Sequence, residues 1–500
     1  INYMNLTTAR FANRAKEIAI RKVAGASRGR LTGQFLTEAF LLTTVALLLA
    51  LMLVKLLLPS FNAFTEKQLT LNNQTDFRIY AGVFIIFIIT GLLSGMYPAL
   101  FQSAAKPLLL LKNKVNIGKG NLSMRRSLVV FQFALSIIMI IATIVVYMQM
   151  KYVSTKDMGF NKEQLLVVDI NSGKIRQSAE AIKTSFAALA QVKNVSVSSR
   201  VPGEWKDLPK VKVKNEKIQT PEGDDMYFIG VDDQFLETFQ IDLLQGRNFA
   251  AGSIADSSAV LINETAAKAL GITQPSEQLI EIPLDQPFKA SVIGIVKDFN
   301  FQSLREPLAP MVLGFQKNPV QSIDYFAVRV TTDNMSKTLR QMDAVLHSFD
   351  QNHLFEYHFL DKQWELFYRE DRVRETIFLI VAILTIVIAC LGLFGLATYA
   401  AEQRIKEIGI RKVLGASVSS IVSMLSADFL KLVCIAAVIA FPVAWLAMNK
   451  WLADFAYRIH ISWWIFVIAG ITAFLIALFT ISFQAIKAAV ANPVKSLRTE

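Results

Sequence analysis

The sequence predicts a polytopic α-helical membrane protein with about six spanning helices and one mixed α/β extracytoplasmic domain. Hydrophobic residues make up 53% of the 500 residues and charged residues only 18%, which is too apolar for a soluble chain of this length. The apolar residues are also concentrated in six long runs, and the more polar residues 150–370 separate the third run from the fourth.

Each apolar run has about 20 residues or more, the length that a helix needs to cross a hydrocarbon core about 30 Å thick. The alternative, a large soluble core, would require six unusually long buried apolar helices in one chain. The few charges within the runs, such as Glu38 and Asp428, fall near the helix ends. The runs are Phe35–Leu58, Tyr80–Phe101, Leu128–Tyr147, Ile377–Ala400, Ile421–Ala447 and Trp463–Ile486.

The charge distribution predicts which side of the membrane each segment faces. The chain carries a net charge of +12, but residues 151–368 contain 23 basic and 28 acidic residues. Basic residues crowd four segments, which the positive-inside rule assigns to the cytoplasm. We therefore expect a multi-pass membrane protein with residues 150–370 outside, the C-terminus cytoplasmic and no nucleic-acid partner. The basic segments are Arg10–Arg30, Lys106–Arg126, Arg404–Lys412 and Lys487–Arg498.

These assignments divide the chain into cytoplasmic, spanning and extracytoplasmic segments. The predicted cytoplasmic parts are residues 1–34 (the end of a helix plus a first short helix), 103–126, 401–418 (a second short helix) and 488–500. The predicted membrane parts are residues 35–102 (a helix pair), 127–149, 374–400, 419–448 and 463–487. Residues 150–370 and 449–462 are expected outside.

Within residues 150–370, short β-rich runs alternate with helical stretches, which indicates a mixed α/β domain. His347, His353 and His358 are close in sequence, but no carboxylate or thiol accompanies them at metal-ligand spacing. The pairs Asp224–Asp225 and Asp232–Asp233 favour turns and solvated faces over acid–base catalysis. We therefore expect no catalytic, metal or cofactor site in this chain.

A nearly identical segment occurs twice, 390 residues apart. Arg14–Ser27 reads RAKEIAIRKVAGAS and Arg404–Ser417 reads RIKEIGIRKVLGAS, with eleven of fourteen positions identical. Each copy follows the end of a membrane helix and precedes another spanning run. The Phe-Gln pairs at 101–102 and 483–484 also correspond between the two halves, so the chain is a tandem duplication of one membrane module.

The repeated segment predicts a short cytoplasmic helix. Glu407 and Arg411 form an i,i+4 pair in the favourable order, Gly415 is placed to end the helix and Ser417 to cap the next one. Anionic lipid would attract the positive charge but needs no fixed sequence, so we favour a docking surface for a protein. The candidate docking residues are Arg14, Lys16, Glu17, Ile18, Arg21, Lys22, Gly25, Arg404, Lys406, Glu407, Ile408, Arg411, Lys412 and Gly415.

The segment EIGIRKVLGAS, after a helix that ends in CLGLFGLATYAAEQR, closely resembles the FtsX/MacB-type permeases of ABC transporters. Within the extracytoplasmic domain, LLQGRNF, VLINETAAKALG and VIGIVKDFNFQSLREPLAPMVL resemble the MacB-like core domain of that family. The likeness covers essentially the whole chain and is greatest to the duplicated form common in Bacteroidetes. By that template the first helix, the first extracytoplasmic domain and most of the second helix would precede Ile1.

The resemblance implies a permease subunit of the inner (plasma) membrane, with residues 150–370 periplasmic. Its two repeated short helices would be coupling helices that dock on a separate ABC ATP-binding subunit, where ATP and magnesium bind. ATP-driven movement would then reach the extracytoplasmic domain by mechanotransmission, for export or extraction of an envelope substrate. Membrane lipid is a further expected partner, and an envelope or outer-membrane protein could bind residues 150–370. Two alternatives stay open: a signalling or scaffold protein that transmits ATPase motion to an envelope enzyme, and an ion-driven secondary transporter. The second predicts paired intramembrane carboxylates and broken helices, for which Asp428 alone is weak support.

Overall fold

The computed structural model divides the chain into two compact units. Unit 1 contains residues 1–148, 373–451 and 460–500, and unit 2 contains residues 149–372 and 452–459. The predicted fold class is confirmed, since six apolar helices accompany a mixed α/β domain. The structure describes residues 2–3, 7, 11–70, 77–104, 119–204, 208–215, 223–275, 278–331 and 333–490.

Unit 1 is helical because its apolar runs satisfy their backbone hydrogen bonds internally, as a hydrocarbon environment requires. Among the described residues, six of its helices are long and apolar enough to cross a membrane. Two short helices, α1 and α12, precede two of the spanning ones. The helices are α1 Phe11–Val23, α2 Arg28–Thr65, α3 Phe77–Ala104, α4 Lys119–Thr155, α11 Arg369–Gln403, α12 Ile405–Val413, α13 Val418–Leu452 and α14 Trp463–Val490.

Helices α2 and α3 pack closely because two glycines of α3 face α2. A Cβ on Gly95 would lie 2.6 Å from Cβ of Ala39, and a Cβ on Gly91 would overlap the ring of Phe40. Small residues with a spacing of four allow this close approach between membrane helices. The Gly91–Gly95 pair is therefore a packing contact.

Unit 2 is built on an eleven-stranded sheet that forms two subdomains. Strands β4, β3, β7, β8, β6 and β9 pair in a closed circuit, because β9 returns to pair in parallel with β4. Strands β11, β1, β10 and β2 form an antiparallel sheet. The strands are β1 Leu165–Asp169, β2 Val192–Ser198, β3 Lys210–Asn215, β4 Asp224–Val231, β5 Leu243–Gly246, β6 Ala259–Asn263, β7 Leu279–Ile282, β8 Phe288–Val296, β9 Met311–Phe315, β10 Tyr325–Val330 and β11 Tyr357–Phe359.

Each subdomain of unit 2 has its own apolar core. Ile182 and Phe186 of α6 pack with Met342 and Leu346 of α9 on the antiparallel sheet. The closed circuit encloses a second cluster around Phe228, which is fully buried. The helices of unit 2 are α5 Gly173–Gln177, α6 Ala179–Ala187, α7 Phe235–Phe239, α8 Glu264–Ala269, α9 Met335–Phe349 and α10 Leu360–Phe367.

The expectation that Asp232 belongs to a solvated turn is wrong. Its carboxylate is completely buried and lies 2.5 Å from Nζ of Lys183. Ser196 Oγ and the Val197 amide donate to the same carboxylate at 2.6 and 3.0 Å. Burial alone would lower the pKa of Lys183, but the carboxylates of Asp232 and Asp233 outweigh it and raise that pKa. Asp232 is therefore a structural ion-pair residue.

Candidate docking surface

The short helix α12 is bounded by the residues that the repeat indicates. Gly415 has φ +89°, a left-handed conformation that glycine adopts without a Cβ clash. The Ala416 amide donates to Arg411 O at 2.9 Å, and the Gly415 amide donates to Lys412 O at 3.1 Å. These bonds form a Schellman motif. Ser417 Oγ then accepts from the Ser420 amide at 3.3 Å and caps α13, so both predicted terminal roles are confirmed.

Helix α12 is held against unit 1 by its buried side. Ile408 is only 4% exposed and packs with Ile421, Leu425 and Ala485. This finding corrects the choice of Ile408 as a residue that contacts a partner. Ile18, its counterpart in α1, is 2% exposed. Both isoleucines support the helix from within unit 1, because a buried side chain presents no surface to another protein.

The outer side of α12 is a stripe of alternating charged and apolar residues. Glu407 and Arg411 form an ion pair at 2.7 Å, with about half of each side chain exposed. Ile410 is 53% exposed and Leu414 is 80% exposed. Positions i, i+3, i+4 and i+7 lie on one face of a helix. We call Glu407, Ile410, Arg411 and Leu414 the second docking stripe.

Helix α1 repeats this arrangement, except that Ala24 stands at the position of Leu414. Glu17 and Arg21 pair at 2.7 Å and are about half exposed, while Ile20 is 63% exposed. Gly25 has φ +92°, and the Ala26 amide donates to Arg21 O at 2.9 Å. We call Glu17, Ile20, Arg21 and Ala24 the first docking stripe. The exposed Ile20, Ile410 and Leu414 were not selected from the sequence, although their helical spacing from the Glu–Arg pairs was a usable signal.

Arginines also tie both short helices to the spanning helix that follows. Arg21 Nη1 donates to Gln34 Oε1 at 2.6 Å, and Arg411 contacts Met424 Sδ at the equivalent position of α13. Arg404, immediately before α12, lies 3.2 Å from Asp428 Oδ2. Asp428 is thus an ion-pair partner of the repeat.

The structure gives contacts for only some of the remaining candidate docking residues. Lys22 Nζ donates to Ser103 O at 2.6 Å, and burial, followed by the charge of Arg28, lowers the pKa of Lys22. Lys412 contributes its backbone carbonyl to the Schellman motif. The side chains of Arg14, Lys16 and Lys406 lie outside what the structure describes.

The Glu–Arg pairs of the stripes add little to the stability of their own helices. A Glu–Arg pair that is half exposed stabilises a helix by only about 0.3–0.5 kcal/mol, so its stability contribution is small. Within the described residues, no group of three or more His, Cys, Asp or Glu side chains could hold a metal ion, and this includes the region of His347, His353 and His358. The chemistry that the stripes offer is recognition of a surface with complementary charge and apolar pockets.

In unit 2, the segment 452–459 is packed into the extracytoplasmic domain. Gln149, fully buried, donates to Tyr457 O at 2.9 Å and accepts from the Ile459 amide at 3.0 Å. The Ala456 amide donates to Arg305 O at 3.0 Å, and the Arg305 guanidinium lies over the ring of Phe455.

The same guanidinium binds a buried carboxylate. Arg305 Nη2 lies 2.6 and 2.7 Å from the two carboxylate oxygens of Asp371, which is 1% exposed. Arg305 therefore joins the start of α11 to segment 452–459 within unit 2. Removing one partner of such a pair costs about 3–5 kcal/mol, so Arg305 and Asp371 hold this junction together.

Two family models match the chain. The FtsX-like permease C-terminal model matches residues 1–107 and 379–493. The MacB-like periplasmic core domain model matches residues 128–345. The first model matches on both sides of the second, as the duplication predicts. Among curated proteins, no relative matches the chain.

Three solved structures are similar at low sequence identity. The periplasmic region of MacB from Actinobacillus actinomycetemcomitans is 13% identical, with 43% of this chain and 97% of that chain covered and a TM-score of 0.31. The extracellular domain of the noncanonic ABC-type transporter YknZ from Gram-positive bacteria is 16% identical, with 39% and 97% covered and a TM-score of 0.28. A domain of a putative permease protein from Porphyromonas gingivalis is 15% identical, with 40% and 90% covered and a TM-score of 0.29.

Apolar spanning helices that flank a periplasmic-type α/β domain define a membrane permease with a large extracytoplasmic part. With both of its regions matched, the chain belongs to the FtsX/MacB-type permeases. Permeases of this family work with ABC ATP-binding subunits.

Proposed function

We propose that this chain is the permease subunit of an ABC transporter and that it couples ATP hydrolysis by a separate ATPase to movement of its extracytoplasmic domain. The observation that carries the proposal is the matched geometry of the Glu–Arg pairs and their neighbouring isoleucines in the two docking stripes. Each presents a Glu–Arg pair at 2.7 Å beside an exposed isoleucine. Lipid attraction alone would not require this matched shape, whereas paired ATPase subunits present two equivalent surfaces.

A covalent route for the movement supports the proposal. Helix α12 leads directly into α13, and α13 ends at Leu452, where segment 452–459 begins. That segment is packed into unit 2 through Gln149 and Arg305. A displacement of α12 would therefore pass along α13 to a segment that is part of the extracytoplasmic domain. This mechanism is mechanotransmission, and it requires no polar channel between the helices.

The proposal extends to orientation and partners. The docking stripes and the C-terminus face the cytoplasm and the ATPase, which binds ATP and magnesium. Residues 150–370 face the periplasm, where they engage an envelope substrate or partner for export or extraction. Anionic lipid surrounds the basic segments, each nearby Lys or Arg contributing about 1 kcal/mol of attraction.

A co-purification of the full chain with its ATPase tests the proposal. We expect Glu407→Lys combined with Glu17→Lys to lower ATPase recovery at least tenfold, because each substitution reverses the charge at the start of a stripe. Exposed Glu365 of α10, in unit 2, gives the matched control Glu365→Lys, which should retain the partner. Full recovery of the ATPase by the double variant would contradict docking. Lipid attraction alone predicts that outcome, because added positive charge is harmless to it.

A further inference from the structure

Three spanning helices of unit 1, α4, α11 and α13, line a cavity of about 270 Å³. One group of its lining residues is polar and lies at the ends of these helices. Arg126 stands where the spanning part of α4 begins, and Gln403 and Arg404 stand where α11 ends. Basic side chains at the ends of spanning helices lie at the level of the membrane surface. The polar residues of the cavity are therefore at headgroup depth.

The lining of the cavity becomes apolar with distance from these helix ends. Val129 lies about one helical turn beyond Arg126 on α4, and Leu396 lies about two turns before the end of α11. Both side chains are buried. On α13, Leu432 lies one turn beyond Asp428. The cavity thus combines a charged end with an apolar wall, which is the division of chemistry found in a phospholipid.

The charged end has a surplus of positive charge. Two arginines and one aspartate line the cavity, so their net charge is +1. Asp428 Oδ2 lies 3.2 Å from Arg404 Nη2, and Arg126 supplies the excess. A guanidinium has five N–H donors, and the contact with Asp428 involves only one terminal nitrogen of Arg404. The other nitrogens can still donate to a phosphate.

We infer that this cavity binds an anionic phospholipid, with its phosphate held by Arg126 and Arg404 and its acyl chains beginning along Val129 and Leu396. Guanidinium groups match the geometry of phosphate oxygens, and basic pockets between spanning helices bind anionic headgroups. A site for a whole drug-sized ligand has about 300–1,000 Å³. A cavity of about 270 Å³ therefore accommodates the phosphate and glycerol, and the acyl chains continue into the bilayer.

The site has a consequence for the second docking stripe, and this consequence rests on the proposed function. Arg404 O accepts from the Ile408 amide at 2.8 Å in the first turn of α12. A phosphate on the Arg404 guanidinium fixes the residue at which α12 begins. Because ordering a segment in advance lowers the cost of binding, the anionic lipid strengthens docking of the ATPase.

Native mass spectrometry of the delipidated full chain tests the site, with dioleoylphosphatidylglycerol as the probe. We expect one tightly bound lipid, whose apparent affinity falls at least tenfold in Arg126→Gln. Arg30→Gln is the matched control, because Arg30 is an exposed arginine near the start of α2 that does not line the cavity. It should change the affinity less than twofold. Equal losses in the two variants would show general attraction to basic residues and overturn the site.

A second variant tests the apolar wall without changing any charge. Ala400 of α11 lines the cavity, so Ala400→Phe should fill it and weaken binding of the same lipid at least fivefold. Ala447→Phe, at an exposed position of α13 outside the cavity, is the control and should leave binding unchanged. Size-exclusion chromatography shows whether both variants are folded. A folded Ala400→Phe variant that binds the lipid normally would refute the cavity as the site.

Two further ligands distinguish the lipid from a free phosphate compound and from a neutral lipid. Dioleoylphosphatidylcholine has the same acyl chains but no net charge, and it should bind at least tenfold more weakly. Glycerol 3-phosphate carries the phosphate without acyl chains and should not displace the bound lipid at equal concentration. Equal affinity for the neutral lipid, or displacement by glycerol 3-phosphate, would overturn the assignment of an anionic phospholipid.

Recovery of the ATPase in nanodiscs separates the site from its effect on docking. We expect phosphatidylglycerol, added to phosphatidylcholine nanodiscs, to raise ATPase recovery by the unmodified chain at least threefold but not by Arg126→Gln. If the lipid binds as expected and recovery is equal in both nanodiscs, the site is retained and its effect on docking is refuted. If neither nanodisc recovers the ATPase, the proposed function fails while the lipid site stands on the binding data.

Discussion

The carboxylate of Glu407 lies 2.7 Å from the guanidinium of Arg411 on the outer side of a nine-residue helix. The helix itself gains little from this pair, because exposed pairs of this kind contribute about 0.3–0.5 kcal/mol. The same pair nevertheless occurs at the same distance in the other repeat. Its retention is therefore better explained by a shape presented to a partner than by stability.

Exchanging the two charges separates helix stability from docking. In the double variant Glu407→Arg with Arg411→Glu, the i,i+4 pair can re-form, although in the less favourable order. We expect normal membrane levels and thermal stability but at least tenfold weaker ATPase recovery, because the partner meets reversed charges. If the variant recovers as much ATPase as the unmodified chain, binding of the ATPase does not depend on which position carries the Glu and which the Arg.

The two sides of α12 should respond differently to substitution. Leu414→Asp changes an 80% exposed residue and should weaken ATPase recovery without affecting stability. Ile408→Ala empties part of a buried cluster and should cost about 2–4 kcal/mol of local stability. Thermal unfolding and co-purification, measured on both variants, check the difference. A Leu414→Asp variant that unfolds as easily as Ile408→Ala would contradict the assignment of sides.

Gly415→Ala should strain the end of α12, because an L-residue in the left-handed region costs about 1–2 kcal/mol. Gly33 lies inside α2, and a Cβ added there meets no atom within 4 Å, so Gly33→Ala should be neutral or slightly stabilising, as the exchange generally is in a helix interior. Limited proteolysis near residue 415 and ATPase recovery give the measurements. Equal behaviour of the two alanine variants would argue against a required left-handed glycine.

The buried pair of Lys183 and Asp232 should matter for unit 2 alone. Asp232→Ala leaves the ammonium without its main partner and should destabilise the domain by about 3–5 kcal/mol, whereas Asp225→Ala, at an exposed position, should stay within about 0.5 kcal/mol. Urea-dependent proteolysis of the full chain measures both. Two equal effects would show that the pair is dispensable.

The pH dependence of the same pair follows from the raised pKa of Lys183. Its contribution is fully present below the unfolded pKa of about 10.4 and is lost as the pH rises through the higher folded pKa. Stability of unit 2 should therefore fall on the alkaline side above that value, and Asp232→Ala should reduce this part of the pH dependence. An alkaline profile that Asp232→Ala does not change would exclude the pair as its source.

The orientation of the chain can be measured with exposed cysteines in a background without Cys390 and Cys434. Lys268→Cys and Lys337→Cys, both exposed positions of unit 2, should react with a membrane-impermeant thiol reagent in cells with a permeabilised outer membrane and an intact inner membrane. Val413→Cys, on α12, should react only after the inner membrane is broken. Labelling at Val413 in cells with an intact inner membrane would reverse the assignment of sides.

Much of this protein is determined by local sequence patterns. Long apolar runs specify spanning helices because the hydrocarbon core accepts few other structures. The ends of α12 follow from Gly415 and Ser417, because left-handed backbone and capping each depend on one residue and its immediate neighbours. The sequence by itself also shows the duplication, the Glu407–Arg411 pair and the family resemblance.

Contacts between distant parts of the chain were decided only by the tertiary structure. The sequence could not show that Ile408 faces inward and Leu414 outward, because a short amphipathic helix does not reveal which neighbours cover it. Asp232 reads as a turn residue until Lys183, 49 positions earlier, is seen beside it. The contact of Asn2 with the α11 backbone joins residues 386 positions apart. Such pairings depend on how whole elements pack, and no local pattern encodes that information.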